Sequence, residues 1–390
     1  MKLWSSTYSN FYFNFLEKNR IPSFYINNLV AIKSLDHKDE YLNLLVKDQI
    51  HTINYIPPYY SLQKSTLPSF ISVLTFSRNY GFLINLEKNS SIENYMQTQL
   101  GSHRRQILKR VKRLETCFNI SYKLYYGSIL EEQRIFLFQK LKEFLQKRFH
   151  QKGRRNIQLE RWESYTASIK EMVNAKKASI FVIYHKDQPV SISLNYHMAN
   201  VMVHTINAYD IDYAKFGLGN TAIYKLVDWC FKNNYKRFDF EWGDLAYKND
   251  WSNTIYNFES HIFYDKRLYK NSIKAKTIYG LSYSKEFFNQ NKILFLKKLF
   301  KMLSQKKIVK YRAYTHATTY NFLEASENKS IKGLTIIHIE KTEYAFLRKA
   351  VYDFQYLNFE NFKNIKIYKS PSKRYFIKGS STFQEIILKL

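Results

Sequence analysis

The sequence predicts a mixed α/β protein: a mixed sheet with helices packed on it and a basic extension at its C-terminal end. Three features carry that prediction. The run ASIFVIYHKDQPVSISLNYHMANVMVHTINAYD (178–210) reads as three antiparallel strands, rich in β-branched and aromatic residues between two short turns. A glycine-containing loop follows it and opens into an amphipathic helix, after which a strand returns to the sheet. Two helical patterns, 131–149 and 158–176, precede it.

Taken in order, three regions emerge. The first, 1–125, alternates short apolar strands such as SFYINNLVAI and YGFLINLE with a basic helix that begins near Ser102. The second, 126–265, is the most regular. Its two helices lead into the meander, whose turns fall at Lys186 to Gln188 and at Ala199 with Asn200. A helix over 218–234 then places Ile223, Leu226, Val227, Cys230 and Phe231 on one face, a strand runs from Arg237 to Glu241, and the short segment GDLAYKNDW precedes a last strand near 258–264. The third, 266–390, holds 26 of the 61 basic residues but only 8 of the 32 acidic ones, so charge concentrates there. Segments such as GLTIIHIE and NIKIYK read as strands in it.

Composition narrows the function classes. A chain of 390 residues with 45% hydrophobic and 24% charged residues can bury proper cores, which excludes a disordered or collagen-like protein. Cys117 and Cys230 cannot build a disulfide framework, and neither sits at metal-ligand spacing, so no metal site is expected and a reducing cytoplasm is. Neither a secretory apolar run nor a membrane-spanning one is legible. The net charge of +29 with 17% aromatics points to an anionic partner: phosphates, a membrane surface or nucleic acid. Codon usage in an AT-rich genome accounts for the same abundance of Lys, Asn, Ile, Tyr and Phe. Nucleic acid is the less favoured partner, since no RNP, KH or zinc signature accompanies the charge.

Of ten glycines, Gly217, Gly219 and Gly243 cluster around one helix and strand. A helix opening from such a loop offers unpaired backbone N–H groups and a positive dipole end, which suits a pyrophosphate. Ordinary turn formation produces the same pattern, and context has to decide.

That context is a resemblance. The stretch YDIDYAKFGLGNTAIYKLVDWCFKNNYKRFDFEWGDLAYKNDW, 209–251, resembles the signature of GNAT acetyltransferases of the cellulose-biosynthesis and BioF2-like group. Phe238, Asp239 and Phe240 match it, as do Gly243, Asp244, Tyr247 and Lys248, with Gly219 at the loop glycine and Lys215 where a basic residue is usual. Upstream, SSIENYMQTQLGSHRRQILKRVKRLE is similar to the group's polar-basic helix, with Arg104, Arg105, Arg110, Arg113, Leu114 and Glu115 in register. Trp242 stands where the group has Arg, Leu245 and Ala246 where it has Glu-Pro, and Ala214 where the loop pattern has Gln or Arg. These departures bear on the acceptor chemistry more than on the fold.

The resemblance implies tandem GNAT-like halves, 1–125 and 126–265, followed by the basic extension. It also implies an acyl-thioester donor, acetyl-CoA or another acyl-CoA, held by Lys215, Gly217, Gly219, Asn220 and Thr221. The acceptor would be an amine or hydroxyl of a sugar, polysaccharide or lipid-linked cell-envelope precursor, in the cleft between the halves. Asp244 is the leading base and Tyr247 the leading proton donor for such a transfer; Asp244 equally suits a turn, and Tyr247 is one of 33 tyrosines. Asp239, opposite in face to Phe238 and Phe240, either lines the acceptor cleft or faces water. Trp242 joins it on the acceptor side. Lys248 either meets phosphate or is solvated, and His204 lies mid-strand where such folds hold the thioester or where a structural histidine would sit.

The basic helix 104–113 carries Arg104 and Arg105 on a face that either solvates the helix or meets a substrate phosphate, opposite a stripe of Ile107, Leu108, Val111 and Leu114. Segment 266–312 has 14 basic residues against Glu286 alone, and KILFLKKLFKMLSQKK reads as an amphipathic helix. It either packs on the core or lies on an anionic membrane at the cytoplasmic face. Two other readings compete: an aminoacyl-tRNA-dependent transferase of the peptidoglycan-bridge type, and a non-catalytic nucleic-acid or membrane binder.

Overall fold

The structure, a computed structural model, describes residues 6–18, 25–26, 50–64, 67–153, 157–284, 319–324 and 333–389. The expected elements recur with small shifts at their ends. The meander is Ala178–His185, Gln188–Met198 and Val201–Tyr209. Its turns sit where the sequence places them, with Lys186 and Ala199 at φ of 54° and 52°. The helix after the glycine loop is Leu218–Lys232, the returning strand Arg237–Trp242 and the last strand Thr254–Asp265. The pattern at 158–176 divides into Ile157–Glu160 and Trp162–Asn174, and GDLAYKNDW supplies a short helix, Ala246–Trp251. The amphipathic pattern of KILFLKKLFKMLSQKK and most of SFYINNLVAI lie outside the described residues.

The chain folds into two compact units, each drawing on three separate stretches of sequence. The boundaries at 125 and 265 therefore remain a proposal about the linear chain.

Unit one draws on Met1–Lys88, Tyr196–His204 and Asn233–Tyr311. Its core is a mixed sheet. Ser6–Asn10 runs parallel to Ile50–Ile56, which pairs antiparallel with Thr254–Asp265. Thr254–Asp265 in turn pairs with the 15-residue strand Ile71–Asn85, whose other edge takes Arg237–Trp242. The latter runs parallel to Val201–Val203. The two partners take opposite backbone edges of Ile71–Asn85, so that Gly81 and Leu83 pair on both sides, and its side chains alternate between the two faces of the sheet. A helix over 269–284 covers one side, where its Ala275 packs among Ile50, Phe76, Ile262 and Tyr264.

Unit two draws on Asn89–Asn195, Thr205–Lys232 and Arg312–Leu390. Ile120–Tyr125 pairs antiparallel with Ala178–His185, and Gln188–Met198 is buried at every position but its first, as a strand covered on both faces must be. The basic helix is Ser102–Cys117, which buries Ile107, Val111 and Leu114 of the expected stripe and Cys117 besides, and leaves Leu108 half-buried. Ser91 caps the helix Ile92–Gln99 by accepting from Asn94 N. Farther on, GLTIIHIE and NIKIYK supply the strands Thr335–Ile337 and Lys366–Lys369 of a five-stranded antiparallel sheet, accompanied by the helix Arg348–Asn358. No described helix is long and apolar enough to cross a membrane.

Candidate functional site

In unit two the loop begins at Asp210, whose Oδ1 accepts from Asp212 N at 3.1 Å and starts the 3-10 turn Ile211–Phe216. Gly217 then adopts φ +68° and ψ 42°, a left-handed conformation that reverses the chain into the helix Leu218–Lys232. A Cβ there would fall 2.9 Å from Cδ of the flexible Arg110 side chain, and it is the left-handed backbone that favours glycine here.

Gly219 is different. Its backbone is in no left-handed region, and a Cβ would meet only the Tyr209 ring at 3.6 Å and Asn207 Nδ2 at 3.8 Å, ordinary contact distances. Glycine at 219 thus answers no need of the protein's own packing. It leaves the first helical turn, whose amides lack intrahelical acceptors, open to close approach. Asn207 donates through Nδ2 to Gly219 O at 3.4 Å, and its Oδ1 is buried with no hydrogen-bond partner among the described residues. The open helical turn fits a phosphate-bearing donor, whereas Asn207 Oδ1, itself an acceptor, suits a hydrogen-bond donor of a ligand and not a phosphate oxygen. Thr221 is buried and turns its hydroxyl back to Gly217 O at 3.3 Å, so its side chain serves the helix, while Asn220 is half-buried.

Lys215 is held at 3.3 Å by Asp353, and Asp212 at 3.0 Å by Arg348. Burial and the neighbouring Asp210 raise the Asp212 carboxyl to about 6, against the pull of Arg348. On the basic helix, Arg104 is half-buried and Arg105 exposed, whereas Arg110 lies against Gly217. Arg148 donates to Asn207 O at 3.3 Å and lies over the Tyr209 ring.

In unit one the parallel pairing of Arg237–Trp242 with Val201–Val203 ends at Asp239 opposite Val203. Beyond it the ladder to Ile71–Asn85 is irregular up to Trp242, and Glu241 takes φ 59°. Asp239 sits where the ladder breaks, and it is fully buried. It does not face water. Tyr12 and Tyr256 donate to its Oδ2 at 2.9 and 2.8 Å, Tyr59 donates to the same oxygen, and Glu241 N donates to Oδ1 at 2.7 Å. Three donors converge on Oδ2 and one on Oδ1, so four donors meet a carboxylate that offers roughly four acceptor positions. Burial pushes this carboxyl above its usual range, and the hydrogen bonds pull it back. Burial, then the Asp239 charge, lifts all three phenols well above their ordinary 10, so they remain donors.

Trp242 packs against aromatic rings rather than presenting a polar group: its ring lies 4.9 Å from Tyr55, tilted, and edge-to-face with Tyr12 at 5.2 Å and Phe13 at 5.6 Å. Lys248 is neither solvated nor aimed outward. Buried, it donates from Nζ to Phe240 O at 2.6 Å and Trp242 O at 2.5 Å, tying down the irregular strand end, and burial lowers its pKa. Asp244 is exposed, accepting from Asn249 Nδ2 at 2.8 Å and from the Tyr80 hydroxyl at 3.4 Å. Tyr247 is half-buried with its ring 5.9 Å from Phe240.

His204 directly follows the last paired residue and is buried beside Phe238, 5.4 Å away. Burial, with a smaller push from Lys248, drives its pKa from 6.5 down to about 3. The folded protein therefore holds it neutral while the unfolded chain protonates it. Its contribution is present above pH 6.5 and lost as pH falls toward 3. We expect the stability of the parent relative to His204→Phe to fall by about 1.4 kcal/mol per pH unit below roughly 6.5. Urea unfolding at pH 7, 6 and 5 measures this, and a pH-independent difference refutes it.

The predicted residues thus form two groups. Lys215, Gly217, Gly219, Asn220 and Thr221 gather at the helix opening of unit two, and Asp239, Trp242, Asp244, Tyr247, Lys248 and His204 gather around one strand end of unit one. Tyr12, Tyr59 and Tyr256 around Asp239 carry no sequence signal, coming from three distant places in the chain. Arg110 was legible as a helix residue, not as the neighbour of Gly217.

Residues 101–249 match the acetyltransferase (GNAT) domain family. No curated protein sequence matches the chain. Among solved structures, it is similar to a conserved protein of unknown function from Bacteroides thetaiotaomicron, at 9% identity over 57% of this chain and 74% of that one, TM-score 0.40. It is also similar to L-PGS from Bacillus licheniformis, at 14% identity over 56% and 68%, TM-score 0.36. FemX matches at 10% identity over 54% and 71%, TM-score 0.39.

Proposed function

We propose that this protein is an acyltransferase that takes an acyl group from acetyl-CoA or another acyl-CoA. It passes the group to an amine or hydroxyl of a sugar, polysaccharide or lipid-linked cell-envelope precursor. The observation that carries the reading is Gly219, a glycine the fold does not require, at the opening of a helix within the GNAT domain. On the donor side, the backbone amides that open the helix at Leu218 and Gly219, ahead of the first helical bond from Thr221 N to Gly217 O, hold the pyrophosphate. On the acceptor side, Asp244 accepts the proton of the attacking amine or hydroxyl. The new C–N or C–O bond forms, the C–S bond breaks, and Tyr247 gives its proton to the leaving thiolate. Tandem GNAT-like halves over 1–125 and 126–265 accompany this reading, as does a cytoplasmic location in which 266–312 meets an anionic membrane surface.

Calorimetric titration with acetyl-CoA, longer acyl-CoAs and bulk tRNA, each at about 50 and 200 mM salt, tests it. Saturable acyl-CoA binding with little salt dependence is expected, because backbone amides rather than many free cations grip the donor. Steeply salt-sensitive tRNA binding without thioester binding would move an aminoacyl-tRNA-dependent transfer to first place. Once an acceptor is in hand, Asp244→Asn is expected to lower turnover about 100-fold with donor affinity unchanged. A variant as fast as the parent removes Asp244 from the mechanism.

A further inference from the structure

The turn Ile211–Phe216, which leads into the donor loop, is held along its length by the helix Arg348–Asn358. Asp212 pairs with Arg348 at 3.0 Å, the Tyr213 ring lies 4.5 Å from Tyr352, Lys215 meets Asp353 at 3.3 Å, and the Phe216 ring lies 5.2 Å from Tyr356. Positions 348, 352, 353 and 356 fall on one face of that helix, so the match is continuous rather than a single touch. Its centre is dry: Tyr213, Phe216, Tyr352 and Asp353 are all buried.

The same helix is anchored on the other side to Ser102–Cys117. Arg113 lies 4.6 Å over the Tyr356 ring and donates to Tyr356 O, and Gln355 Nε2 donates to Cys117 O at 3.3 Å. That basic helix also brings Arg110 against Gly217. Asp353, 3% exposed, gathers Lys215, Lys349 and the Tyr320 hydroxyl. A carboxylate so buried needs those partners, and Lys215 would have to abandon it to reach a ligand.

We infer that the helix Arg348–Asn358 is the positioning element of the donor loop, with Arg348 and Asp353 as positioning residues and Lys215 as their anchor rather than a ligand of the donor phosphates. The C-terminal segment is then a working part of the transferase, not an appendage. The inference rests on the reading of Gly217 to Thr221 as the donor loop. A loop already fixed in its binding geometry spares the donor the cost of ordering it.

Asp353→Asn in the full chain separates the two roles of Lys215 by sign. If Asp353 positions the loop, losing its charge weakens acetyl-CoA binding by about tenfold. If Lys215 instead grips the donor, freeing it tightens binding or leaves it unchanged, and either result overturns the inference. Arg348→Met, which removes the second ion pair without touching Lys215, is expected to weaken binding similarly. Hydrogen exchange of the 211–217 amides without ligand provides an independent reading: exchange should rise in both variants while the five-stranded sheet keeps its protection. Unchanged loop exchange overturns the inference by itself. Failure of the parent to bind any acyl-CoA instead overturns the donor assignment, while the exchange experiment still judges the bracing of the loop.

Discussion

Replacing Gly219 by aspartate is expected to weaken acetyl-CoA binding by roughly a thousandfold while leaving the melting temperature close to that of the parent. The fold tolerates a side chain there, since a Cβ meets only the Tyr209 ring at 3.6 Å and Asn207 Nδ2 at 3.8 Å. The donor does not tolerate a carboxylate. Two like charges about 4 Å apart at a protein surface repel by about 4 kcal/mol, which is nearly three decades in affinity. Gly219→Ala separates charge from bulk, and about a tenfold loss is expected from the methyl group's intrusion on the first helical turn. Titration with acetyl-CoA beside a thermal melt reads both. Parent-like affinity in the aspartate variant would remove the loop from donor binding.

Asp239→Ala is expected to destabilise the protein by about 3–5 kcal/mol, the largest stability effect among the residues around the strand end. The carboxylate is the common acceptor for Tyr12, Tyr59 and Tyr256, and it also takes the Glu241 amide. Each buried donor left without an acceptor costs about 1–3 kcal/mol, partly recovered where Tyr12 and Tyr256, already 3.2 Å apart, satisfy each other. Asp239→Asn keeps the shape and one acceptor oxygen but turns an amide NH2 toward donors, so an intermediate loss is expected. Tyr12→Phe should cost only about 1 kcal/mol, because the carboxylate keeps its other donors. Chemical denaturation measures all three. A loss below about 1 kcal/mol for the alanine variant would show that the cluster does not hold the strand end.

These two residues also show how much was legible beforehand. Gly219 lies on a glycine loop recognisable from its neighbours in the chain, and the meander before it and the apolar stripe after it follow from periods of 2 and 3.6. Asp239 was legible as part of the Phe-Asp-Phe match and as a residue opposite in face to Phe238 and Phe240. Alternation told which way it points, not what it meets. Its partners come from position 12, position 59 and position 256, and no periodicity links them. Lys248 is a similar case: a lysine in a polar segment reads as solvated, until the irregular strand end supplies two carbonyl oxygens for its ammonium.

Lys215 marks the limit most sharply. The resemblance implies a donor contact for this lysine, while its observed partner, Asp353, lies far along the chain on a helix of the C-terminal segment. By itself the sequence determined the mixed α/β class, the order of strands and helices from 178 to 265, and the helix opening at Gly217 and Gly219. These depend on propensity, turn chemistry and hydrophobic period among near neighbours. Only the tertiary structure decided which charges are already spent within the protein and which glycine the fold could do without. Both depend on contacts between segments distant in sequence, brought together by burial of the sheets and helices that carry them.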